Sequence, residues 1–349
     1  MIRARRRSLL EQPGQDRWSD PVSALDVTRS SAQRLLGYLA AEFDETGSSR
    51  SAPDRIQYYY KMPATFALAG RLDLANATLA QFAQRFFVGG VLDTAGDAMA
   101  KDWAPYIAGW TAWGAALLGR FDIGRAVIGS VMHFQAPDGG FRSAADGEAS
   151  SDVQRTGAAL MGLVWNNQIA TAERAATFLR AMIEEQAARS RFCALVEDGR
   201  PFADPGDRNT YFDVADPFAR PAMFATPMAG LLWLHRLTGR AEHLAASTLY
   251  SELVLRHDCP AALPLATKIG WSSLMLHEHT GDDRLVALAR KTALWQARRQ
   301  DPDGSISFRD MEGSPQQIDK VWLVGWGCDC LLTLISVAAA ASSRTGGTE

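Results

Sequence analysis

The chain has 349 residues, of which 47% are hydrophobic and 21% charged, and its 36 Lys and Arg against 39 Asp and Glu give a formal net charge of -3. This composition is typical of a soluble globular protein, and it excludes a disordered chain, a collagen-like repeat and a disulfide scaffold. The near-neutral charge argues against a nucleic-acid partner, since such proteins carry a basic surface. With only four cysteines, we expect a reduced, cytoplasmic protein.

The first twenty residues are expected to form a flexible tail. A basic cluster near Arg5 is followed by only Leu9 and Leu10 before Glu11, whereas a secretory signal needs an apolar run of about 7–15 residues. We therefore expect no export signal. Residues 21–342 are predicted to form a single domain, and residues 343–349 a short disordered tail.

A short turn rich in Gly or Asn recurs along the chain, roughly 40–70 residues apart, which indicates an array of helical repeats. Each turn follows an apolar helical run and precedes an amphipathic one, and Gly or Asn suits a helix C-terminus because the residue there adopts a left-handed conformation. The five turns are centred on Gly70, Gly119, Asn167, Gly239 and Gly281.

Two kinds of helix alternate between these turns. Amphipathic helices, each with one polar face, are predicted to be outer helices over 22–43, 71–87, 121–135, 170–187, 241–256 and 283–299. Helices that are apolar all round are predicted to be inner helices over 57–70, 103–118, 153–166, 217–237, 265–279 and 319–340. Six inner and six outer helices in alternation predict an all-α (α/α)6 toroid without a real sheet.

The last inner helix also has the composition of a membrane span, because Asp329 is the only charged residue between Val321 and Ala341. A helix that is hydrophobic all round can also be the innermost helix of a large soluble protein, and a carboxylate at mid-bilayer is costly. We interpret this segment as a buried core helix and expect no membrane span.

The links between the helices are unequal in length. Links from inner to outer helices are tight, whereas the links from outer back to inner helices cover 44–56, 88–102, 136–152, 188–216, 257–264 and 300–318. All the long links therefore lie at one end of the toroid, where the inner helices begin with their positive dipole ends. Because long loops in compact domains are usually functional, we predict the functional site at this end, around a central cavity.

Two of the long links share a motif, Gln135-Ala-Pro-Asp138-Gly139-Gly140-Phe141 and Gln300-Asp-Pro-Asp303-Gly304-Ser-Ile306. This motif resembles the Gln-x-x-Asp-Gly repeat of the terpenoid cyclase and protein prenyltransferase toroids. The resemblance implies the toroid fold, in which the glutamine caps a helix and the Asp-Gly turn ties neighbouring hairpins. It implies no chemistry, since the acidic and zinc-binding motifs of those families are missing. A second resemblance, to six-hairpin glycosidases of the unsaturated-glucuronyl hydrolase kind, rests on Asp138-Gly139-Gly140-Phe141 and Thr156-Gly-Ala-Ala.

Three carboxylates at the inner-helix entrances are catalytic candidates. Asp213 and Asp216 are three residues apart, so on a helix they share one face, and two adjacent carboxylates push one pKa up, as a general acid requires. The alternative is that they cap the helix at Pro217. Asp319, at the last entrance, is either an acid or an ordinary helix cap.

Aromatic and cationic residues at the same entrances are candidates for substrate binding. Lys61 begins a helix with no further charge until Arg71, and it either binds the substrate or pairs with a carboxylate. Aromatic walls suit a hydrophobic, cyclic or cation-like substrate. The predicted substrate-binding residues are Tyr59, Lys61, Trp103, Tyr106, Arg155, Tyr211, Lys268, Trp271 and Trp322.

No metal or cofactor is expected. His277 and His279 are two residues apart on a helix and point to different sides, as do Cys328 and Cys330, so neither pair readily shares an ion. The leading hypothesis is a cofactor-independent cyclase, isomerase or lyase that acts on a small organic substrate, of the kind found in specialised metabolism, by acid/base chemistry. The alternatives are a six-hairpin glycoside hydrolase or polysaccharide lyase, and a non-catalytic helical binding scaffold.

Overall fold

The computed structural model describes residues 21–93, 97–142, 150–197, 199–202, 210–216, 219–257, 268–306 and 320–345. The predicted N-terminal tail and residues 346–349 lie outside these ranges. Thirteen α-helices lie within them: α1 (Pro21–Ala41), α2 (Met62–Leu68), α3 (Leu72–Phe86), α4 (Ala98–Asp102), α5 (Ala104–Leu117), α6 (Phe121–Ser130), α7 (Val153–Trp165), α8 (Ile169–Gln186), α9 (Ala225–Thr238), α10 (Ala241–Arg256), α11 (Ile269–Thr280), α12 (Asp283–Arg298) and α13 (Lys320–Thr345).

Six of these helices form a closed inner ring. In the order α2, α5, α7, α9, α11 and α13, each packs against the next, and α13 also packs against α2. The outer helices α3, α6, α8, α10 and α12 each pack against the inner helix that precedes them, and α1 packs against α13. The first and last helices thus form the sixth hairpin. The predicted (α/α)6 toroid is confirmed.

The inner helices pack closely because small residues lie where they cross. Residues 104–116 of α5 are all buried. At Gly109 an added Cβ would come within 2.0 Å of the Ala158 carbonyl oxygen in α7, and at Gly157 it would come within 2.5 Å of Pro227 in α9. Any larger side chain at these two positions would push neighbouring inner helices apart.

The links between helices contain short strands, so the prediction of no sheet is wrong there. Phe87–Val88 pairs with Val91–Leu92, and Arg191–Cys193 pairs with Tyr211–Asp213. A four-stranded sheet has the order Phe141–Arg142, Ser151–Asp152, Leu195–Glu197 and Arg200–Phe202. Strands of two or three residues are too short to show an alternating pattern of hydrophobicity in the sequence.

Several predicted helix boundaries also need correction. The helix predicted over 217–237 begins with a 3-10 turn at Pro221–Phe224, and α9 itself starts at Ala225. The helix predicted over 57–70 is a 3-10 turn at Ile56–Tyr58 followed by the short α2. The short α4, which precedes α5, was not predicted.

The two Gln-x-x-Asp-Gly motifs join neighbouring hairpins, as the resemblance implied. The Gln135 side-chain amide donates to the Gly139 carbonyl at 3.0 Å and to the Thr171 carbonyl of α8 at 3.1 Å. The Gln300 amide donates to the Gly304 carbonyl at 2.9 Å and to the Ser31 carbonyl of α1 at 3.0 Å. The second of these contacts connects the α12 hairpin to the first helix and so helps to close the ring.

A third turn of the same shape, over residues 43–49, was missed in the sequence. The Gly47 N–H donates to the Asp44 carbonyl and the Asp44 N–H to the Ser48 carbonyl, which are the bonds made in the motif at 135–141. Gly47, Gly139 and Gly304 have φ of 80°, 92° and 91°. Phe43 and Thr46 replace the Gln and Asp of the motif, so only the backbone geometry reveals the repeat.

Among the described helices, α13 alone is long and apolar enough to cross a membrane, over Leu323–Ser342. It packs against α1, α2, α11 and α12 and completes the inner ring. Cys328, Asp329, Leu331 and Leu334 are fully buried by these neighbours. These contacts support the interpretation of α13 as the core helix of a toroid.

Candidate functional site

A buried ion pair joins the first and last inner helices. Lys61 lies at the N-terminal cap of α2, and its Nζ donates to the Asp329 Oδ2 of α13 at 2.8 Å and to the Gly325 carbonyl at 3.0 Å. The two side chains are 4% and 0% exposed. Burial alone would lower the pKa of Lys61, but Asp329 holds it well above its usual range. Lys61 is therefore a permanent cation at this position.

A second buried lysine has a different partner. Lys268 precedes α11, and its Nζ donates to the Tyr106 hydroxyl of α5 at 2.8 Å. Both side chains are buried. Burial lowers the pKa of Lys268 to about 8, an effect that Asp329 opposes and the positive charge of Lys61 reinforces. About a tenth of Lys268 is therefore an uncharged amine at pH 7, and about half at pH 8.

Tyr106 connects this lysine to two half-buried residues, Trp103 and Arg155. Burial raises the pKa of Tyr106 to about 12, so its hydroxyl keeps its proton. The ring of the half-buried Trp103 lies edge-on to the Tyr106 ring at 5.4 Å between centroids, and the Arg155 guanidinium lies over Trp103 at 4.6 Å. The Arg155 Nε also donates to the Asp102 carbonyl at 2.8 Å. Arg155, Trp103, Tyr106 and Lys268 thus form a continuous chain of contacts, in which the first two are half-buried and the last two are buried.

These residues form one connected group, which we call the central cluster: Tyr60, Lys61, Tyr106, Lys268 and Asp329. The Tyr60 ring is 6.0 Å from the Tyr106 ring, and the Lys61 Nζ lies 5.6 Å from the Tyr60 ring centroid. The cluster combines two lysines, one carboxylate and two phenols in an environment from which water is largely excluded. Titratable groups with shifted pKa values in such surroundings are typical of catalytic sites.

Tryptophans lie next to the central cluster. Trp271 of α11 stacks on Trp113 and Trp233, with centroids 6.0 and 6.4 Å apart. Trp110 lies 6.2 Å from Trp271, and its ring lies 5.4 Å from the Lys61 Nζ. The inner ring therefore packs a cluster of buried tryptophans beside the charged groups.

Of the predicted binding residues, Lys61, Trp103, Tyr106, Arg155, Lys268 and Trp271 are brought together here. Tyr59 does not belong to this group. Its hydroxyl accepts from the Ser49 N–H at 2.9 Å and donates to the Pro53 carbonyl at 3.1 Å. Tyr211 lies in a strand paired with Cys193. Asp319 lies outside the described residues, and of Trp322 only its place in α13 is described.

The arrangement predicted for Asp213 and Asp216 is wrong. Asp213 ends a strand opposite Arg191, and residues 214–216 follow in a turn, so the two carboxylates do not share a helix face. The Asp213 carboxylate pairs with the exposed Arg191 at 3.1 Å. The Asp216 carbonyl accepts a hydrogen bond from His257 at 2.7 Å. A strand register fixed by Phe192 and Phe212, both fully buried, keeps this segment extended.

Two members of the central cluster were not predicted as site residues. The signal for Asp329 was present, because it is the one charge in an apolar helix and such a carboxylate needs a partner. Tyr60 stands in a run of three tyrosines, and the sequence pattern does not distinguish it from Tyr59, which was predicted as a substrate-binding residue. The described residues contain no group of three or more His, Cys, Asp or Glu side chains that could hold a metal ion.

Comparisons with known proteins identify the fold. No family model matches the sequence, and no curated protein matches it. Among solved structures, a GH76 α-mannanase from Bacteroides thetaiotaomicron has a TM-score of 0.66 and 10% identity over 93% of this chain and 100% of its own. An α-1,6-mannanase of Salegentibacter sp. HEL1_6, in complex with α-1,6-mannotetrose, has a TM-score of 0.65 and 9% identity over 89% of this chain and 98% of its own.

A third solved structure belongs to a different class of enzyme. A type II terpene cyclase from Scytonema, in complex with geranylgeranyl dihydroxybenzoate, has a TM-score of 0.61 and 12% identity over 90% of this chain and 98% of its own. At these identities the likeness establishes the (α/α)6 toroid and leaves the chemistry to be argued from the site. The resemblance to terpenoid cyclase toroids seen in the sequence is confirmed at the level of the fold.

Proposed function

We propose that the chain is an enzyme that cyclises, isomerises or eliminates on a small organic substrate by acid/base chemistry at the central cluster. The observation that carries this proposal is the buried hydrogen bond between the Lys268 Nζ and the Tyr106 hydroxyl, 2.8 Å long, at the end of the toroid where the inner helices begin. An amine and a phenol side by side provide a proton acceptor and a proton donor within reach of one substrate.

The two groups have distinct roles. With a pKa of about 8, Lys268 has an uncharged amine fraction that can remove a proton from the substrate, and a base works best with a pKa near the working pH. Tyr106, with its pKa raised to about 12 by burial, keeps its proton and can donate a hydrogen bond to an oxygen on which negative charge develops. The fixed positive charge of Lys61 stabilises the same developing charge.

The surroundings support an apolar substrate with one polar group. The stacked rings of Trp113, Trp233 and Trp271 favour a cyclic or unsaturated carbon skeleton. Trp103 and Arg155 are half-buried and adjoin Tyr106, where they can contact the polar end of a bound molecule. A binding scaffold has no need of a buried lysine with a lowered pKa, which counts against the non-catalytic alternative.

Solvent exchange provides the test. The protein is incubated in D2O with 2-cyclohexenone and with geranylgeranyl dihydroxybenzoate, and deuterium incorporation and product formation are followed by NMR and mass spectrometry. We expect exchange or rearrangement of at least one probe that falls by about 100-fold or more in Lys268→Met. Lys101→Met, which removes an exposed lysine of α4, should leave the rate unchanged. Equal rates in wild type and Lys268→Met would contradict the proposal.

Glycoside hydrolysis is the second candidate, supported by the likeness to the mannanases. Glycosidases require two carboxyl groups about 5–9.5 Å apart, but within the described residues the central cluster holds one, Asp329. The Salegentibacter variant is inactive with two consecutive aspartates replaced. The one Asp-Asp pair of this sequence, Asp282 and Asp283, starts outer helix α12, and Asp282 bonds to Arg284. Release of reducing sugar from α-1,6-mannotetraose, unaffected by Lys268→Met, would favour this candidate over the first.

A further inference from the structure

We propose that Lys268 is a covalent catalyst, whose amine forms an imine with an aldehyde or ketone group of the substrate, while Tyr106 donates and accepts the protons. This inference rests on the proposed function, because it uses the same lysine and tyrosine. It goes further in naming the chemical class of the substrate, a carbonyl compound, and the bond that the enzyme makes to it.

The contrast between the two buried lysines is the first argument. The chain has five lysines, and Lys61 and Lys268 are the two that are buried within the described residues. The Lys61 amine is locked as an ammonium by the Asp329 carboxylate at 2.8 Å. The hydrogen bond from Lys268 goes to a neutral phenol, also at 2.8 Å. Only an uncharged amine has the lone pair needed to attack a carbonyl carbon, and desolvation favours that form.

The position of Tyr106 is the second argument. Its hydroxyl oxygen is within hydrogen-bond distance of the amine, so it is also close to the oxygen of any carbonyl that the amine attacks. The phenol retains its own proton and can donate it. Trp103 packs edge-on against the Tyr106 ring and holds it in place. Lys61 lies over the Tyr60 ring much as Lys268 lies over the Tyr106 ring. Its ion pair with Asp329, however, keeps the Lys61 nitrogen protonated, so it has no lone pair with which to attack.

The step balances without an external oxidant or reductant. The Lys268 nitrogen forms a bond to the carbonyl carbon, and the carbonyl π electrons move to oxygen, which takes a proton from Tyr106. The nitrogen then loses a proton to the Tyr106 oxygen. Tyr106 then donates this proton to the hydroxyl, which leaves as water while the carbon–nitrogen double bond forms, so that the resulting iminium cation is paired with the Tyr106 phenolate. The iminium form withdraws electrons from the adjacent carbon, which promotes isomerisation or elimination there, and hydrolysis returns the free amine.

Reductive trapping tests this inference on the wild-type protein. Benzaldehyde is the probe, sodium cyanoborohydride at pH 8 reduces any imine to a stable benzylamine, and peptide mass spectrometry locates the added benzyl group. We expect Lys268 to be benzylated at least about tenfold faster than the exposed Lys101 and Lys291, and Lys61 to remain unmodified. Tyr106→Phe should slow benzylation of Lys268 by about tenfold while the circular dichroism spectrum stays unchanged.

The result that overturns the inference is benzylation of Lys101 and Lys291 with Lys268 unmodified in the folded protein. If that occurs while Lys268→Met still abolishes turnover of 2-cyclohexenone or geranylgeranyl dihydroxybenzoate, the acid/base proposal survives and the covalent step is wrong. Full turnover in Lys268→Met contradicts both proposals, even if Lys268 is selectively benzylated, because the reaction then needs no amine at this position. The two proposals therefore fail in different ways.

Discussion

The ion pairs at the short-turn end of the toroid differ from the central cluster at the other end. At the end with the short turns, outer helices begin with an arginine and an acid two residues apart, as in Arg71–Asp73 at 2.7 Å and Arg120–Asp122 at 2.8 Å, and these side chains are 42–65% exposed. At the end with the long links, Lys61, Lys268 and Asp329 are buried. The first set is local and repeated, whereas the second occurs once and joins residues far apart in sequence.

This difference indicates which charges serve the fold. Exposed ion pairs contribute about 0–1 kcal/mol each, and an acid in the first helical turn gains a little more from the helix dipole. A buried ion pair must overcome a large loss of hydration, and apolar residues of similar volume often give an equally stable protein. A toroid can therefore be built without Lys61, Lys268 and Asp329. Their presence at one end is the observation on which the proposed chemistry rests.

The largest expected effect follows from removing one buried charge. Asp329→Ala leaves the Lys61 ammonium buried and unpaired, which should lower the free energy of unfolding by about 3–5 kcal/mol. Asp122→Ala, at the other end, removes an exposed partner and should lower it far less. Urea unfolding at pH 7, followed by circular dichroism, measures both.

The double variant Lys61→Met/Asp329→Leu is the matched control for that experiment. Because both charges are removed together, it should recover most of the stability that Asp329→Ala loses. Similar losses for Asp329→Ala and Asp122→Ala would show that the buried pair is no different from the exposed ones, and the comparison of the two ends would fail.

Glycines at the two ends provide a second comparison. Gly139 in a long link and Gly119 in a short turn have φ of 92° and 69°. An added Cβ at Gly139 would come within 2.2 Å of the Arg174 carbonyl oxygen, whereas at Gly119 it meets nothing within 4 Å. Gly119→Ala should cost about 1–2 kcal/mol for its backbone conformation, and Gly139→Ala about 1–3 kcal/mol more for the clash.

Thermal unfolding of both variants checks this, with Gly47→Ala as a test of the third turn. At Gly47 an added Cβ would come within 2.3 Å of the Ala77 backbone, so its loss should match that of Gly139→Ala. If Gly47→Ala instead behaves like Gly119→Ala, the turn at residues 43–49 is not an equivalent tie between hairpins.

The fold was largely predictable because its signals are local. Glycines such as Gly119 and Gly239 mark the ends of inner helices, and the polar faces of outer helices repeat between them. The motifs at Gln135 and Gln300 were recognisable because the contact to the next outer helix is made by a glutamine side-chain amide. The third turn escaped notice because Phe43 takes the place of the glutamine and the shape depends only on backbone bonds.

The site was harder to predict because it depends on pairing across the ring. Lys61 and Asp329 are 268 residues apart. The predicted toroid places the first and last inner helices side by side, but the sequence does not show which residues of α13 face α2. Lys61 had been expected to meet either a substrate or a carboxylate, and the structure shows the carboxylate. Asp213 looked like a helical residue because its neighbour in the β-strand pairing, Arg191, lies in the other arm of a long link.

The smallest effect expected is a pH dependence of stability that comes from Lys268. Its pKa is about 8 when folded and 10.5 as the ordinary value, so between these pH values the unfolded state binds more protons and the free energy of unfolding rises with pH. The rise cannot exceed about 1.4 kcal/mol per pH unit for one group.

The measurement compares wild type with Lys268→Met by urea unfolding between pH 7 and 9.5. Lys61, with a pKa well above its usual range, stays charged in both states over this window, and the raised pKa of Tyr106 lowers stability only as the pH approaches 10. The difference between the two curves therefore isolates Lys268, and Lys101→Met should reproduce the wild-type curve. Parallel curves for wild type and Lys268→Met would mean that the Lys268 amine is as well hydrated as the exposed charges at the other end. Its pKa would then not be lowered, and both the acid/base role and the imine chemistry would lose their physical cause.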